Sequence, residues 1–498
     1  IRSTAGCWFS RSWVEPWHAR LRRADLSRRQ PLNVAVIGGG IGGLTAALEI
    51  ARAGHDVSVF EAAPALGGQA GTVTIEGAPL ERFYHHLFRS DLDMLDLARQ
   101  LGIERRLLWL QPKMGLYHAS RVVPFGTPSG LLHLPWLSPI DKLRFGLVTL
   151  LLMRVNRRGL FEGISAWSWL RRAVGRRAFD VVWGPMLQAK FSDWSREASM
   201  VWFWGKIAAR GASRQGGREQ LGYFNLSFQV LIDALASALR AAGAKVRTGC
   251  PVSTLTPLAG GGVSVSLDGE THDFDRVILA LHNRDALRLV PAFPKAYADG
   301  LRAIRYEGAS CLLLSLRRPL TDIYWMNISA PELPFTAVVE HTNFMPPERY
   351  NGRHLVYLSR YMPPSDPLFS QDMDGFLHAY LLHLASLQPA FTPDWIAGAW
   401  LFKDSQAQPI VNVDYARLQP PLTTPIRDLY LINTTQIYPE DRGTNYAVRL
   451  GRQVAALVLG RGTSERYVPM IGTGRKPAPF RVPGADGQPS PAPNHSTW

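Results

Sequence analysis

Three glycines and one glutamate are the residues of this chain whose types and spacing most directly predict chemistry. Gly38, Gly40 and Gly43 follow a short apolar run at G-x-G-x-x-G spacing, and Glu61 ends a second apolar run. Glycine permits a tight turn at the first position, close approach of the backbone to a pyrophosphate at the second, and close helix packing at the third. The helix that follows offers free N–H groups to phosphate, and the carboxylate can accept hydrogen bonds from ribose hydroxyls.

The elements that must position these residues are visible in the same segment. Val34–Ile37 predicts a buried parallel strand, and Leu44–Ala53 predicts a helix of small and apolar residues. Gly54 ends this helix, and Val57–Phe60 predicts the second strand. Residues 33–68 are therefore expected to form a βαβ unit that binds a dinucleotide. The acid at the end of the second strand repels a 2′-phosphate, which disfavours NADP.

The sequence beyond this acid carries a further signature. In EAAPALGGQAGTV, Gly67 and Gly68 follow Glu61 closely. This extended pattern resembles the FAD-binding N-terminus of the flavin amine oxidase superfamily, which includes protoporphyrinogen oxidases, phytoene desaturases and UDP-galactopyranose mutases. The resemblance implies that the cofactor is FAD. The residues that we expect to contact it are Gly38, Gly40, Ile41, Gly42, Gly43, Glu61, Ala62, Gly67, Gly68, Gln69, Val252, Gly443 and Thr444.

Two later segments are similar to the same superfamily. Residues 227–281, a predicted helix followed by strands, resemble its second contribution to the FAD domain, in which the segment around Val252 reaches the adenine end. Residues 429–458 resemble its closing motif, in which a helix that begins near Gly443 or Thr444 faces the flavin end. The resemblance thus covers most of the chain.

The chain departs from the superfamily pattern at several positions. Relatives often carry a Gly-Gly pair where this chain has GYFNLSF, and the strand end Ala280-Leu281-His282 lacks their proline. None of Cys7, Cys250 and Cys311 lies where covalent flavin attachment is expected. FAD is therefore predicted to bind non-covalently.

The predicted fold class is α/β, with a discontinuous Rossmann-type FAD-binding domain and an α+β substrate domain that contains a mixed sheet and a helical, membrane-facing subdomain. The length of 498 residues is enough for two or three domains. The expected segments are a basic, disordered extension at 1–32, an FAD-binding domain at 33–90, 224–282 and 412–461, a helical region at 91–223, a β-rich substrate domain at 283–411, and a disordered tail at 462–498.

Candidate catalytic groups occur in two segments. In ERFYHHLF, His85 and His86 point to opposite faces if the segment is extended, so at most one faces the flavin. The alternative is that both are surface or packed histidines. Tyr438 and Arg442 precede the closing helix and are expected near the flavin ring. Arg442 could bind an anionic substrate or the reduced flavin, and the alternative is a salt bridge with the neighbouring Asp441 or Glu440.

Other residues carry weaker signals. Lys190 and Lys403 are both candidates for a flavin-side lysine, and nothing in the sequence separates them. Trp202-Phe203-Trp204 cannot all face one core from a helix, so some are expected to line an apolar pocket or an interface. The cysteines show no metal-ligand spacing, and no metal is predicted.

The net charge of +15 is concentrated in one region. Residues 142–218 hold 15 Lys and Arg against four Asp and Glu, and residues 131–210 hold seven of the fifteen tryptophans. Arginine mixed with interfacial aromatics favours an anionic membrane surface over nucleic acid, with a solvated basic face as the alternative. The most apolar run, Phe145–Met153, is too short to span a bilayer. We expect a cytoplasmic protein with peripheral membrane contact.

The sequence as a whole predicts an FAD-dependent oxidoreductase that removes hydride from, or desaturates, a bulky apolar or lipid-linked substrate through flavin N5. One alternative is an enzyme of the UDP-galactopyranose mutase type, which uses reduced flavin without net oxidation of a nucleotide sugar. Another is a non-enzymatic, prenyl-binding protein of the GDP-dissociation-inhibitor type, although the intact glycine motif argues against it. The oligomeric state is not predicted.

Overall fold

The computed structural model of the chain describes residues 30–215, 218–462 and 464–470. The strands are β1 (Asn33–Ile37), β2 (Asp56–Phe60), β3 (Thr72–Ile75), β4 (Ala78–Glu81), β5 (Leu87–Phe88), β6 (Leu107–Leu110), β7 (Met114–His118), β8 (Arg121–Pro124), β9 (Arg214–Gln215), β10 (Arg218–Glu219), β11 (Leu221–Phe224), β12 (Lys245–Arg247), β13 (Val252–Pro257), β14 (Val263–Leu267), β15 (Glu270–Phe274), β16 (Arg276–Leu279), β17 (Tyr306–Leu316), β18 (Trp325–Ile328), β19 (Ala337–Glu340), β20 (His354–Met362), β21 (Ile396–Pro409) and β22 (Leu429–Leu431).

The α-helices are α1 (Ile41–Arg52), α2 (Leu92–Gln100), α3 (Pro128–Leu132), α4 (Pro139–Arg154), α5 (Ala166–Val174), α6 (Arg176–Ala178), α7 (Gly184–Phe191), α8 (Met200–Ala212), α9 (Gln229–Ala241), α10 (Asn283–Leu289), α11 (Lys295–Ala303), α12 (Pro367–Ser370), α13 (Met373–Leu384), α14 (Tyr415–Leu418) and α15 (Thr444–Val458).

A parallel sheet of five strands, in the order β12-β2-β1-β16-β22, forms the centre of the nucleotide-binding part. Its central strand β1 is buried from Val34 to Ile37, which explains why this strand is uniformly apolar. Helices α1, α9 and α15 pack together beside the sheet. An antiparallel sheet of β13, β14 and β15 adjoins it through a shared apolar cluster. The α/β fold class is thereby confirmed.

A second large sheet has seven strands in the order β21-β17-β20-β19-β18-β7-β8. It is mixed, because β18 pairs with β7 in parallel while its other strand pairs are antiparallel. Residues 107–124 were expected in a mainly helical region, but they form strands β6, β7 and β8. Their apolar side chains do not follow the 3.6-residue periodicity of a helix. Strand β7 joins the mixed sheet by pairing with β18, which lies far along the chain.

The helices α3 to α8 enclose a separate apolar cluster. Trp202, Phe203 and Trp204 of α8 are all buried in this cluster, so the expectation that three successive helical residues cannot all pack into one core is wrong. The reason is that other parts of the chain cover α8 on several sides. Helices α4 and α5 contact it, and the backbone at Pro439 lies against Gly205 of α8, where a Cβ would come within 2.7 Å of the Pro439 carbonyl oxygen.

The outer face of α4 is apolar and exposed. The large hydrophobic residues there include Ile140, Leu143, Leu147, Leu150 and Leu151, while Phe145 and Leu152 face the cluster within. Within the described part of the chain, no helix combines the length and the apolar character that crossing a bilayer requires.

Most of the predicted extension 1–32 and most of the predicted tail 462–498 lie outside the described residues. Residues 464–470 are described, and they pack against the body of the protein. Tyr467 is buried, and the amide of Leu422 donates a hydrogen bond to the backbone of this segment. For this stretch the prediction of disorder is wrong, because a buried aromatic side chain holds it in place.

Candidate active site

The glycine turn between β1 and α1 leaves no room for side chains. Gly38 has φ +111°, and a Cβ there would lie 2.5 Å from the carbonyl oxygen of Ala280. A Cβ at Gly43 would lie 2.2 Å from the carbonyl oxygen of Gly38. At Gly40 the nearest such neighbour is Gly68, at 3.8 Å. The backbone at Gly40 is therefore open to a ligand, while the other two glycines are needed for the turn itself.

The start of α1 is open as well. Gly40 is its N-cap residue, no side chain among the described residues caps it, and its first turn contains no acidic residue. The N–H groups of the first helical turn have no partner further back in the helix. The partial positive charge of the helix start and these N–H groups can therefore bind the oxygens of a diphosphate.

The carboxylate of Glu61 faces this turn. It accepts hydrogen bonds from the amides of Gly39 (2.7 Å) and Ala63 (2.8 Å). Ala62 beside it is exposed, and Val252 is buried at the start of β13, close to Cys250, whose amide donates to the carbonyl of Glu61. The acid is thus held at the end of β2, where a ribose next to the diphosphate would be within its reach.

Gly67 and Gly68 lie directly on the glycine turn. The amide of Gly67 donates to the carbonyl of Gly39 (2.9 Å), and a Cβ at Gly68 would lie 3.0 Å from Cα of Gly40. Both glycines have positive φ angles, +117° and +56°. Since side chains at these positions would collide with the turn or strain the backbone, the pair can close over a diphosphate only as glycine.

The closing helix α15 begins beside α1. Gly443 is its N-cap residue and Thr444 its first residue, with no acidic side chain in the first turn. A Cβ at Gly42 would lie 3.3 Å from the carbonyl oxygen of Ala447, and one at Gly451 would lie 2.4 Å from that of Gly42. The two helices therefore pack with little space between their backbones, which brings two open helix starts to the same part of the molecule.

A cavity continues from the glycine pair. Gln69, the residue after the pair, lines it, and its amide nitrogen donates to Asp404 (2.8 Å). The other residues that line the cavity are Phe83, Tyr84, His85, Ala309, Ser310, Ser359, Arg360, Tyr361, Ala407 and Arg442. Strands β17, β20 and β21 of the mixed sheet supply most of these, so the cavity lies where the sheet meets the nucleotide-binding part.

The two candidate histidines differ in position. His85 lines the cavity, and its Nδ1 donates to the carbonyl of Phe83 (2.6 Å), which leaves Nε2 as the unprotonated nitrogen of a neutral ring. Burial lowers the pKa of His85 to about 4. His86 packs against Phe88 and Trp325, outside the cavity lining, and burial lowers its pKa to about 3. Only His85 can therefore meet a ligand in the cavity.

Arg442 also lines the cavity. Its guanidinium donates to the hydroxyl of Tyr361 (2.6 Å) and to the side-chain oxygen of Gln408 (2.9 Å). The alternative of a salt bridge with Asp441 or Glu440 does not occur among the described contacts, because Asp441 is occupied by two lysines. The arginine is thus fixed by neutral partners and keeps its positive charge beside the cavity.

The carboxylate of Asp441 accepts hydrogen bonds from Nζ of Lys190 (2.9 Å) and Nζ of Lys206 (3.1 Å). Burial alone would raise the pKa of Asp441, but the two lysines hold it well below its usual range. Burial lowers the pKa of Lys190 and brings that of Lys206 to about 8. Together with Arg442, three basic groups lie at this edge of the cavity, against the two carboxylates of Asp441 and of Asp404 in the cavity lining. These groups leave one positive charge in excess.

The remaining predicted residues lie elsewhere. Tyr438 is buried in the helical cluster, where its hydroxyl meets Oγ of Ser199 (3.1 Å), and it does not line the cavity. Lys403 is exposed, and its ammonium group donates to the backbone carbonyls of Phe369 and Gln371. Of the two candidate lysines, the structure therefore places only Lys190 near the cavity.

Sequence reasoning missed Asp404, Arg360 and Tyr361. They lie on β20 and β21, far along the chain from the glycine motif, and no local motif marks them. Sequence reasoning also missed Lys206. This residue follows Trp202 by four positions, so both side chains lie on one face of α8, and both donate hydrogen bonds to Asp441. Within the described residues, no group of His, Cys, Asp and Glu could hold a metal ion.

Comparisons with known proteins agree with this geometry. Residues 41–459 match the family described as flavin containing amine oxidoreductase. The chain is 28% identical over 292 residues to a carotenoid phi-ring synthase from Streptomyces griseus, a match that covers 53% of this chain and 54% of that protein. It is 33% identical over 82 residues to a zeta-carotene desaturase from Zea mays, covering 16% of this chain and 14% of the desaturase.

The fold is also similar to that of a candidate protoporphyrinogen oxidase from Exiguobacterium sp. 255-15, with a TM-score of 0.69 and 15% identity over 86% of this chain and 99% of the other. The chain spans about half the length of the first curated relative and a small part of the second. Because the family match extends over most of the chain, the protein belongs to the family of flavin containing amine oxidoreductases.

Proposed function

We propose that the flavin is FAD and that it binds without a covalent bond. The observation that carries this proposal is that the glycine turn, the open start of α1 and the carboxylate of Glu61 lie in one crevice. The N–H groups of Ile41, Gly42 and Gly43 would hold the diphosphate, Glu61 the ribose, and Gly67-Gly68 would close over them. The described cysteines Cys250 and Cys311 are buried away from the cavity lining, which supports non-covalent binding.

The flavin ring is proposed to lie toward the cavity, near the start of α15 at Gly443 and Thr444. The partial positive charge of this helix start, together with the surplus charge of Arg442, Lys190 and Lys206, would stabilise negative charge on a reduced ring. A ring that becomes more negative on reduction gains more from these groups than the oxidised ring does. The surroundings therefore favour electron uptake.

The proposed reaction is the removal of a hydride and a proton from a bulky apolar or lipid-linked substrate, with formation of a double bond. The names of the carotenoid relatives support an apolar substrate. FAD would supply the hydride acceptor, and oxygen or a quinone would then take up the electrons. The proton would pass to Nε2 of His85, the unprotonated ring nitrogen of a residue that lines the cavity. This imidazole is a weak base. Removal of the hydride would leave an electron-deficient carbon, however, and the C–H bond next to that carbon would be acidic enough to give its proton to the imidazole.

Anaerobic mixing of the purified protein with apolar candidate substrates, such as carotenoid precursors and protoporphyrinogen, should bleach the flavin absorbance. The absence of bleaching with every such substrate would contradict the proposal. Turnover of a nucleotide sugar that requires prior reduction, but does not consume the reductant, would instead support the mutase type of reaction.

His85→Gln should slow bleaching by about a hundredfold or more while the flavin stays bound, because a general base contributes about 10²–10⁴ to a rate. His86→Gln changes a ring outside the cavity and should have a smaller effect. Rapid-mixing absorbance measures both rates. Equal effects of the two substitutions would remove His85 from the reaction.

We further propose that the exposed face of α4 binds peripherally to a membrane. This helix is apolar on both sides, but only its inner side is covered by protein. An apolar helical face bordered by basic residues is typical of interfacial membrane binding. Helix α4 contacts α8, whose Lys206 reaches Asp441, the residue before Arg442 of the cavity, so the proposed membrane face and the proposed flavin site are linked through one helix.

Vesicle flotation tests this contact. Leu143→Asp with Leu147→Asp places charges on the exposed face of α4 and should abolish binding to phospholipid vesicles. Leu382→Asp is a matched control, because Leu382 is an exposed leucine on a different helix, α13. Unchanged vesicle binding by the double variant would contradict the proposal, and loss of a dimer on gel filtration instead would show that α4 meets a second copy of the chain.

A further inference from the structure

A separate groove opens beside α4, on the surface of the helical region. It lies between α4, α5 and the start of α6. Its lining includes Trp167, Gly175 and the four arginines Arg144, Arg171, Arg172 and Arg176. Neither the proposed redox reaction nor the cavity beside Gln69 uses any of these residues.

One of these arginines is already held in position. Nε of Arg144 donates to the carbonyl of Ala173 (2.7 Å), and another of its nitrogens donates to the carbonyl of Arg172, both at the end of α5. Gly175 makes room for this guanidinium, since a Cβ there would lie 3.2 Å from its Nη1. Arg144 lines the groove, and two backbone carbonyls fix its guanidinium, so the group is pre-organised to donate its remaining N–H groups to a ligand.

The other arginines lack counter-charges. Among the described residues, Arg171, Arg172 and Arg176 form no ion pair, whereas the nearby Arg158 pairs with Glu162. One acid is close to the groove: a carboxylate oxygen of Asp141 would lie 4.0 Å from a Cβ at Gly175, and Ser138 already donates to this carboxylate (2.7 Å). Four positive charges therefore converge with one engaged carboxylate at the edge, an arrangement that favours binding of an anion.

Arg144 also belongs to the exposed apolar face of α4. It is separated by four residues from Ile140 and by three from Leu147, and residues at these spacings share one face of a helix. An anion in the groove would consequently lie at the level where the leucines meet the bilayer. The guanidinium groups suit bidentate contact with phosphate, and Trp167 at the rim suits the interface between water and lipid.

We propose that this groove binds the headgroup phosphate of an anionic phospholipid. The inference rests on the membrane contact proposed for α4 and adds a defined lipid site to it. The apolar face would supply insertion into any bilayer, and the groove would supply the preference for anionic lipid. Because the two contributions come from different residues, they can be separated by experiment.

The test compares flotation with vesicles of phosphatidylcholine alone and of phosphatidylcholine mixed with phosphatidylglycerol. The triple variant Arg171→Gln, Arg172→Gln, Arg176→Gln should lose the preference for mixed vesicles by about a hundredfold, on the order of fivefold for each charge removed. Its binding to pure phosphatidylcholine and its flavin absorbance should match those of the unchanged protein. The control is Arg240→Gln, Arg284→Gln, Arg288→Gln, which removes three exposed charges from α9 and α10 and should retain the preference.

A variant with lysine at positions 171, 172 and 176 separates a defined site from general attraction. Lysine keeps the charge but not the bidentate geometry, so the preference should fall for a site and stay unchanged for diffuse attraction. Equal losses in the groove variant and the control, or retention by the lysine variant, would overturn the inference. Competition by soluble glycerol phosphate at concentrations below those of the lipid would assign the groove to a free phosphate instead. Absence of binding to any vesicle would contradict the membrane contact itself.

Discussion

Helices α1 and α4 are both rich in apolar residues, yet their surroundings differ. Nine residues of α1 are buried, from Ile41 to Ala51, beneath α9 and α15. In α4, only Phe145 and Leu152 are fully buried, although the helix is four residues longer. The apolar surface of α1 is covered by its own protein, whereas the outer apolar face of α4 is exposed.

This difference shows that an apolar helix can either pack inside the protein or present an apolar surface to its surroundings, and that composition alone does not distinguish the two. In α1, small residues let a second helix come close, as Gly42 does opposite Gly451 of α15. In α4, large leucines lie on the outer face, where they add nothing to the core. Exposed apolar surface of this kind is typical of a surface that binds another apolar phase.

The adjacent residues Leu151 and Leu152 give the sharpest test of this comparison. Leu152 is 1% exposed, and Leu152→Ala should destabilise the fold by about 2–5 kcal/mol because it leaves a cavity in the helical cluster. Leu151 is 53% exposed, and Leu151→Ala should change stability by less than about 0.5 kcal/mol. Chemical denaturation measures both. Similar losses would mean that the outer face of α4 is covered within the protein.

Asp441 lies where the helical region meets the start of α15. Asp441→Asn would leave Lys190 and Lys206 without their counter-charge, at a cost of about 3 kcal/mol. The change should also weaken flavin binding, because Arg442 is adjacent. Thermal unfolding and flavin content check these outcomes. If the variant were as stable as the unchanged protein, the ion pairs of Asp441 would not stabilise the contact between the helical region and the start of α15.

Gly43 tests how closely the glycine turn is packed. Gly43→Ala should cost about 1–3 kcal/mol and reduce bound flavin, because its Cβ would lie 2.2 Å from the carbonyl oxygen of Gly38. Gly300→Ala is the control, since nothing lies within 4 Å of a Cβ there and Gly300 is within α11. Alanine at that position should stabilise the helix by about 0.5–1 kcal/mol. Tolerance of both changes would contradict the packing described for α1.

The glycine turn could be predicted from the sequence because its chemistry is local. Gly38, Gly40, Gly43 and Glu61 lie within one βαβ unit, and each has a role that follows from its own backbone or side chain. The same holds for the closing helix, whose predicted start near Gly443 or Thr444 agrees with the structure.

The cavity could not be predicted in this way, because it is assembled by tertiary contacts. Gln69 meets Asp404 across 335 positions of the chain, and no periodic pattern connects them. The segment after Arg106 was assigned to a helical region for a related reason. Strand β7 is stabilised by its pairing with β18, more than 200 residues later, and local propensity does not reveal such a partner.

The central claim is that FAD is held non-covalently at the glycine turn, and the most direct measurement is the flavin released when the purified protein is denatured. We expect about one FAD per chain in the supernatant, none attached to the precipitated protein, and a clear reduction of this content in Gly43→Ala but not in Gly300→Ala. A colourless protein, a flavin that stays attached to the denatured chain, or release of FMN in place of FAD would contradict the account.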